Sequence, residues 1–251
     1  MMLKIKTPLI TGALLCALAA QSAFAAIALD RTRVVYDGSQ KSLSLSISNE
    51  NKQLPYLAQG WIEDAQGNKI TSPLTVLPPV QRIEPGAKSQ VKVQGLPAAK
   101  SLPQDRESLF YFNLREIPPR SDKPNTLQIA LQTRIKLFYR PAALIRPASE
   151  MGAPWQEKIT LTKQGGSYVV NNPTPYFVTL VDASSSVKGK PAEGFEPLMV
   201  EPKGQGSLTV NAGALGDSPV LTYINDYGGR PQLKFSCSGN SCQAIPVKGS
   251  H

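Results

Sequence analysis

Histidine is almost missing. The single copy, His251, is the last of 251 residues. That speaks against a Ser-His-Asp triad, a Cys-His dyad and any metal site built on imidazole. Most hydrolases fall with them. Cysteine is scarce too, at three, and Cys237 and Cys242, spaced CxxxxC with no histidine nearby, make a poor zinc site. No nucleophile elbow appears, nor an SxxK followed by a KTG-like triplet, which argues against serine–lysine chemistry. Runs of lysine and arginine are absent. Beyond the first segment, no apolar stretch is long enough to cross a bilayer. Helical periodicity is weak throughout, whereas period-two alternation recurs, and 41% hydrophobic residues suffice to bury a core.

The first segment reads as an export signal. Lys4 and Lys6 precede an apolar run over residues 9–20, and Ala23-Phe24-Ala25 is a small-x-small cleavage site. A cleaved signal over residues 1–25 implies export. The run is too short for a comfortable membrane span, and bulky Leu15 before Cys16 disfavours lipidation. Cleavage would leave Cys237 and Cys242, which in an exported chain read as a small hairpin-closing disulfide or, alternatively, as two free thiols. The basic excess is lopsided: residues 26–145 hold 16 basic and 10 acidic side chains, the remainder 9 and 8. Export argues against nucleic acid, so an acidic or carboxylate-bearing partner fits this charge better.

Leu43, Leu45 and Ile47 alternate with Ser42, Ser44, Ser46 and Ser48, giving one dry and one wet face. Further strands are predicted over 56–62, 89–93, 108–114, 159–162, 168–171, 177–181, 207–210, 221–224 and 232–237, between Pro/Gly-rich turns. A composition break at 140–147 divides the chain. The expected fold is all-β, with two immunoglobulin-like sandwiches over 26–143 and 148–248. Pro78-Pro79 and Asn172-Pro173-Thr174-Pro175 are candidates for a cis bond.

One predicted strand is too long. From Leu127 to Tyr139 alternation is unbroken for thirteen residues. Leu127, Ile129, Leu131, Thr133, Ile135, Leu137 and Tyr139 share one face, while Gln128, Ala130, Gln132, Arg134, Lys136, Phe138 and Arg140 share the other. Roughly 40 Å of strand is about twice the usual length. A Pro- and charge-rich loop over 117–125 precedes it, so its leading part is expected to project past its neighbours. An apolar strand with a free edge is an aggregation hazard unless kept for a partner. The excess length favours strand addition over a plain core role.

Several runs carry a specific likeness. They are Leu29-Asp30-Arg31-Thr32-Arg33, residues 51–59, residues 102–120, residues 127–133 with 135–141, and Tyr223-Ile224-Asn225-Asp226-Tyr227-Gly228-Gly229-Arg230-Pro231. On these the chain resembles the periplasmic pilus-assembly chaperones, the P-pilus branch most of all. The short loop before the long strand and a first domain without cysteine match the short-loop branch that serves rod-like pili.

The resemblance implies two immunoglobulin-like domains in a boomerang arrangement, no catalytic residue, no cofactor and no metal. Its partners would be pilus subunits, whose sandwiches lack a strand, and an outer-membrane usher. Leu127, Ile129 and Leu131 would fill the subunit's groove. Arg33 and Lys136 would bind its C-terminal carboxylate, the bland alternative being a solvated pair or pairing with Asp30 or Glu116. Glu107, Arg140 and Asp226 match an inter-domain charge network. Pro55 and Ile117 match positions tied to a loop that covers the binding edge. Self-association of the free protein through that edge stays open. The competing reading is a secreted immunoglobulin-like adhesin or structural fimbrial protein. Such a subunit would carry its donor near the N-terminus, and a sugar site would favour exposed tryptophan. Here the candidate strand is internal, and Trp61 and Trp155 lie in patterned stretches that predict burial.

Overall fold

The computed structural model describes residues 25–147 and 154–245. The signal expected over residues 1–25 lies outside these except for Ala25, as do residues 148–153, where the second domain was expected to begin, and the tail from 246.

The first half builds β1 (Ile27–Leu29), β2 (Arg33–Asp37), β3 (Ser42–Asn49), β4 (Tyr56–Glu63), β5 (Lys69–Ile70), β6 (Leu74–Leu77), β7 (Val80–Ile83), β8 (Lys88–Gly95), β9 (Ser108–Ile117) and β10 (Gln132–Arg140). One sheet runs β1-β3-β8-β6; the other runs β2-β10-β9-β4-β5, with β7 also on β4. The serine alternation works as expected, since Leu45 and Ile47 enter the core while Ser44 and Ser46 face solvent. They meet Val91 and Val93 from their own sheet and Ile62, Phe112 and Leu137 from the facing one. Gly60 is required where the sheets approach closely: a Cβ there would stand 2.8 Å from Val76 Cγ1.

The second half comprises β11 (Thr160–Gln164), β12 (Ser167–Asn171), β13 (Val178–Ser184), β14 (Leu198–Val200), β15 (Gln205–Asn211), β16 (Val220–Tyr223), β17 (Gln232–Ser238) and β18 (Ser241–Ile245). Their ladder is one continuous path, β14-β13-β16-β17-β18-β11-β12-β15. It curls over a second core containing Tyr168, Phe235, Leu161 and Leu221, and Gly206 of β15 returns to pack against Leu198 and Val200 of β14. Cys237 and Cys242 face each other across the β17–β18 hairpin and form a disulfide. Cis bonds precede Pro73 and Pro78, and none lies in residues 172–175. That second loop is organised by Asn172 instead, which donates to Tyr176 O and Glu201 O and accepts from the Thr174 amide and hydroxyl.

Apart from the long one, the ten predicted strands exist with shifted ends, while seven further short strands (β1, β2, β5, β6, β7, β14 and β18) lack the alternation that would reveal them. The main correction concerns the long strand. β10 begins at Gln132, and residues 127–131 lie outside any sheet. Continuing the β9–β10 register would set Ile129 against Pro118, which has no N–H to donate. Phe138 and Arg140 are buried, because the second domain covers this end of the outer face. Trp155 is buried as expected, but Trp61 is only half-buried, with the Lys69 ammonium and the Arg115 guanidinium over its ring.

Candidate functional site

The site starts from one parallel pairing. β2 lies beside β10 in the same direction, which sets Arg33 opposite Lys136. Two cations 103 positions apart in the chain thereby become neighbours. β2 covers β10 only from Lys136 to Arg140; from Gln132 to Ile135, β10 has β9 on one side and, among the described residues, no strand on the other. The pair therefore marks the spot where a vacant sheet edge begins.

Arg33 is 8% exposed. It donates to Ile224 O at 2.9 Å, Asn225 O at 3.2 Å and Thr179 Oγ1 at 3.4 Å, all in the second domain. Its guanidinium carbon stands 5.5 Å from the centre of the Phe138 ring. Lys136 Nζ reaches the same Thr179 oxygen at 3.5 Å. Burial lowers the pKa of Arg33, with Asp226 and Glu107 opposing at longer range. Burial also lowers that of Lys136, and the charge of Arg33 adds to the effect. The bland pairings are not made: Asp30 binds Arg31, and Glu116 accepts the Ile27 amide. Among the described residues neither cation has an ion-pair partner. Two half-desolvated positive charges side by side favour an anion that both can reach.

Leading up to this point is the segment that leaves the sheet. Leu127 is 84% exposed, Ile129 65% and Leu131 39%. Such exposure for three large aliphatic side chains in alternation is uncommon on a surface that stays wet. The segment is tied down near its ends: Thr126 Oγ1 donates to Lys123 O, Gln128 Nε2 to Pro119 O, Leu131 O accepts the Glu116 N–H, and the Leu131 N–H faces Glu116 Oε1 at 3.4 Å.

A second group sits where the two domains meet. Arg140 donates from Nε to Glu107 Oε1 at 2.8 Å and from Nη1 to Asp226 Oδ2 at 2.7 Å. The other Glu107 oxygen accepts the Phe177 N–H at 2.8 Å, while the Glu107 N–H donates to Pro175 O. Burial raises the Glu107 pKa, although Arg140 and the Phe177 amide pull it down. Burial opposes the Arg140 charge, but Asp226 and Glu107 outweigh it and hold the guanidinium charged. Phe138 packs on Phe177, and Lys203 Nζ reaches Asp105 at 2.7 Å on the rim. The three predicted network residues are thus together. Pro55 stands just before β4 and Ile117 faces Leu57 in the β4–β9 ladder, both half-buried.

Sequence reasoning missed Thr179, the oxygen shared by both cations, and the carbonyls of Ile224 and Asn225. A threonine in an apolar strand carries no signal of its own, and backbone acceptors carry none. The parallel β2–β10 pairing was the missing link.

An open sheet edge, continued by exposed aliphatic side chains and bounded by two uncompensated cations, defines the class: a two-sandwich protein poised for strand addition by a partner. The chain belongs to the pili and flagellar-assembly chaperones, whose PapD N-terminal domain matches residues 26–145 and C-terminal domain residues 154–235. It is 58% identical over 233 residues to the probable fimbrial chaperone YfcS of Escherichia coli K12, covering 93% of this chain and 91% of that one. To the chaperone protein PapD of Escherichia coli it is 55% identical over 225 residues, covering 89% and 92%. Among solved structures it is similar to the periplasmic chaperone SfaE, with a TM-score of 0.66, 31% identity and coverage of 83% and 98%. It is also similar to a Salmonella enterica complex of SafA pilin with the SafB chaperone, with a TM-score of 0.69, 25% identity and coverage of 86% and 99%.

Proposed function

We propose that this chaperone works in the periplasm, after removal of residues 1–25, by completing the unfinished sandwich of a pilus subunit with its own segment 127–131. Residues 26–143 hold the subunit, and residues 148–248 close the cleft behind it. The observation that carries this reading is the alternation of exposed Leu127, Ile129 and Leu131 on a segment without a sheet partner, leading into the vacant edge that ends at Arg33 and Lys136. Each of these side chains, once buried in a subunit's groove, contributes on the order of 1.5–3 kcal/mol. Backbone bonds along the edge add to that and fix register. Arg33 and Lys136 receive the subunit's terminal carboxylate by charge-assisted hydrogen bonds. The Glu107–Arg140–Asp226 network holds the two domains at the angle this requires. The action is binding and hand-over to an outer-membrane usher, without catalysis or cofactor. The SafA–SafB complex, a chaperone holding a pilin, supports the same reading by likeness.

Co-expression in the periplasm with a candidate pilus subunit tests it. A soluble one-to-one complex is expected, and Arg33→Ala or Lys136→Ala should abolish it while leaving the circular dichroism spectrum intact. Full recovery of subunit with both variants would sink the carboxylate anchor.

A further inference from the structure

The ladder between β9 and β10 ends in an unusual way. Glu116 and Leu131 stand opposite each other, one step past the registered pair Arg115 and Gln132. A hydrogen-bonded antiparallel pair exchanges two backbone bonds. Only one is made here, from the Glu116 N–H to Leu131 O at 3.0 Å. The Leu131 N–H meets the side chain instead, with Glu116 Oε1 at 3.4 Å. The other carboxylate oxygen, Oε2, accepts the Ile27 N–H at 3.0 Å. Ile27 opens β1, a strand of the opposite sheet.

Glu116 is 5% exposed and points to the inner side of its sheet, where its neighbours at alternate positions, Leu114 and Phe112, are apolar. An apolar residue would serve the core there, whereas a buried carboxylate costs desolvation. Its two oxygens instead tie together two strand ends, β1 and the point where segment 127–131 leaves the sheet. Pro118 withholds a donor from the next hydrogen-bonding position along β9. Side chain and proline therefore act in the same direction: self-pairing stops at Leu131.

We propose that Glu116 is a positioning residue for subunit binding, a carboxylate clamp that ends the β9–β10 ladder at Leu131 and fixes the root of the exposed segment to β1. This rests on the function proposed above. Lys136 lies five residues beyond Leu131. A fixed root sets the distance between the aliphatic side chains and the two cations before a subunit arrives. Without it the segment is free to slip by one residue, which turns every side chain to the wrong face. Ordering the segment in advance also lowers the entropy that binding must overcome.

Amide hydrogen exchange on the whole protein, with Glu116→Gln and Glu116→Ala, tests the clamp without any subunit. In Glu116→Ala the Leu131 and Ile27 amides should exchange at least about tenfold faster, while core amides such as Val91 and Leu137 keep their rates. Glu116→Gln is nearly isosteric and retains one acceptor oxygen, so at least one of the two amides should speed up with the melting temperature unchanged. Unaltered exchange at both amides in both variants overturns the clamp. A general rise that includes Val91 and Leu137 in both reduces Glu116 to a structural residue and overturns the positioning role. Capture of whichever subunit the unsubstituted chain binds on co-expression should slow several-fold in Glu116→Gln; an unchanged rate also overturns the role. Failure of the unsubstituted chain to capture any subunit counts against the proposed function, and the exchange rates still decide the clamp.

Discussion

Lys136 is poorly placed for stability, and the proposed function gives it a role in binding instead. Its pKa is lowered by burial and by the adjacent Arg33. Between that lowered value and its ordinary one, the unfolded chain binds more protons than the folded one. Stability of the free protein therefore rises with pH through this window, and the penalty is fully present below it. A bound carboxylate reverses the balance. Affinity for a subunit should accordingly fall as pH rises through the same window, which isothermal titration over an alkaline pH series would detect. Removing the charge should separate the two effects. Lys136→Met is expected to raise the melting temperature of the free protein by about 1–3 °C while losing capture. A lower melting temperature would mean that the lysine is a structural prop. The cations themselves were legible in the sequence only through family resemblance, since exposed charges are usually solvated. Their shared acceptor, Thr179, was not legible at all, because the contact spans 146 positions from Arg33 and depends on how the two domains meet.

At the level of elements, one stretch of uniform alternation divides into two parts with different fates. Residues 132–140 are a paired strand, and Leu137 is fully buried. Residues 127–131 have the same pattern and no sheet. Alternation reports which side chains share a face and says nothing about whether a neighbour is present, so the pattern alone could not mark the division at Leu131. The information lay in the opposite strand, in Glu116 and Pro118. Paired substitutions should expose the difference. Ile129→Asp is expected to leave the melting temperature within about 1 °C, as for other exposed sites, and to cut complex yield. Leu137→Ala should cost roughly 2–5 kcal/mol, read by thermal or urea unfolding. Equal destabilisation by the two would place Ile129 in the core and remove the donor segment. The short strands escaped notice for a related reason: two to five residues are too few for a period to show, and only the sheets they join define them.

For the whole molecule, the contact between domains is small in residue number and dense in charge. Glu107 is 4% exposed and holds both Arg140 of its own domain and the Phe177 amide of the other. Glu107→Ala would leave that amide unpaired and Arg140 half-compensated, at a cost of about 3 kcal/mol. Calorimetry should show the change as a loss of coupling, with the unfolding transition broadening or splitting as the second domain comes free. A sharp single transition at an unchanged temperature would show that the network does not join the domains. Two sandwiches were legible from strand spacing and the break near residue 140, while the curl of the second into one continuous ladder was not, because register is a long-range property. The parallel course of β2 beside β10 has one further consequence. A guest strand that rests its terminal carboxylate on Arg33 and Lys136 and its body along residues 127–135 must travel the same way as its host, as if β2 had been lengthened backwards. Such co-directional pairing is slightly weaker per residue than the opposed kind. Under the proposed function, a strand that paired with the same guest in the opposed sense would therefore hold it slightly more tightly per residue.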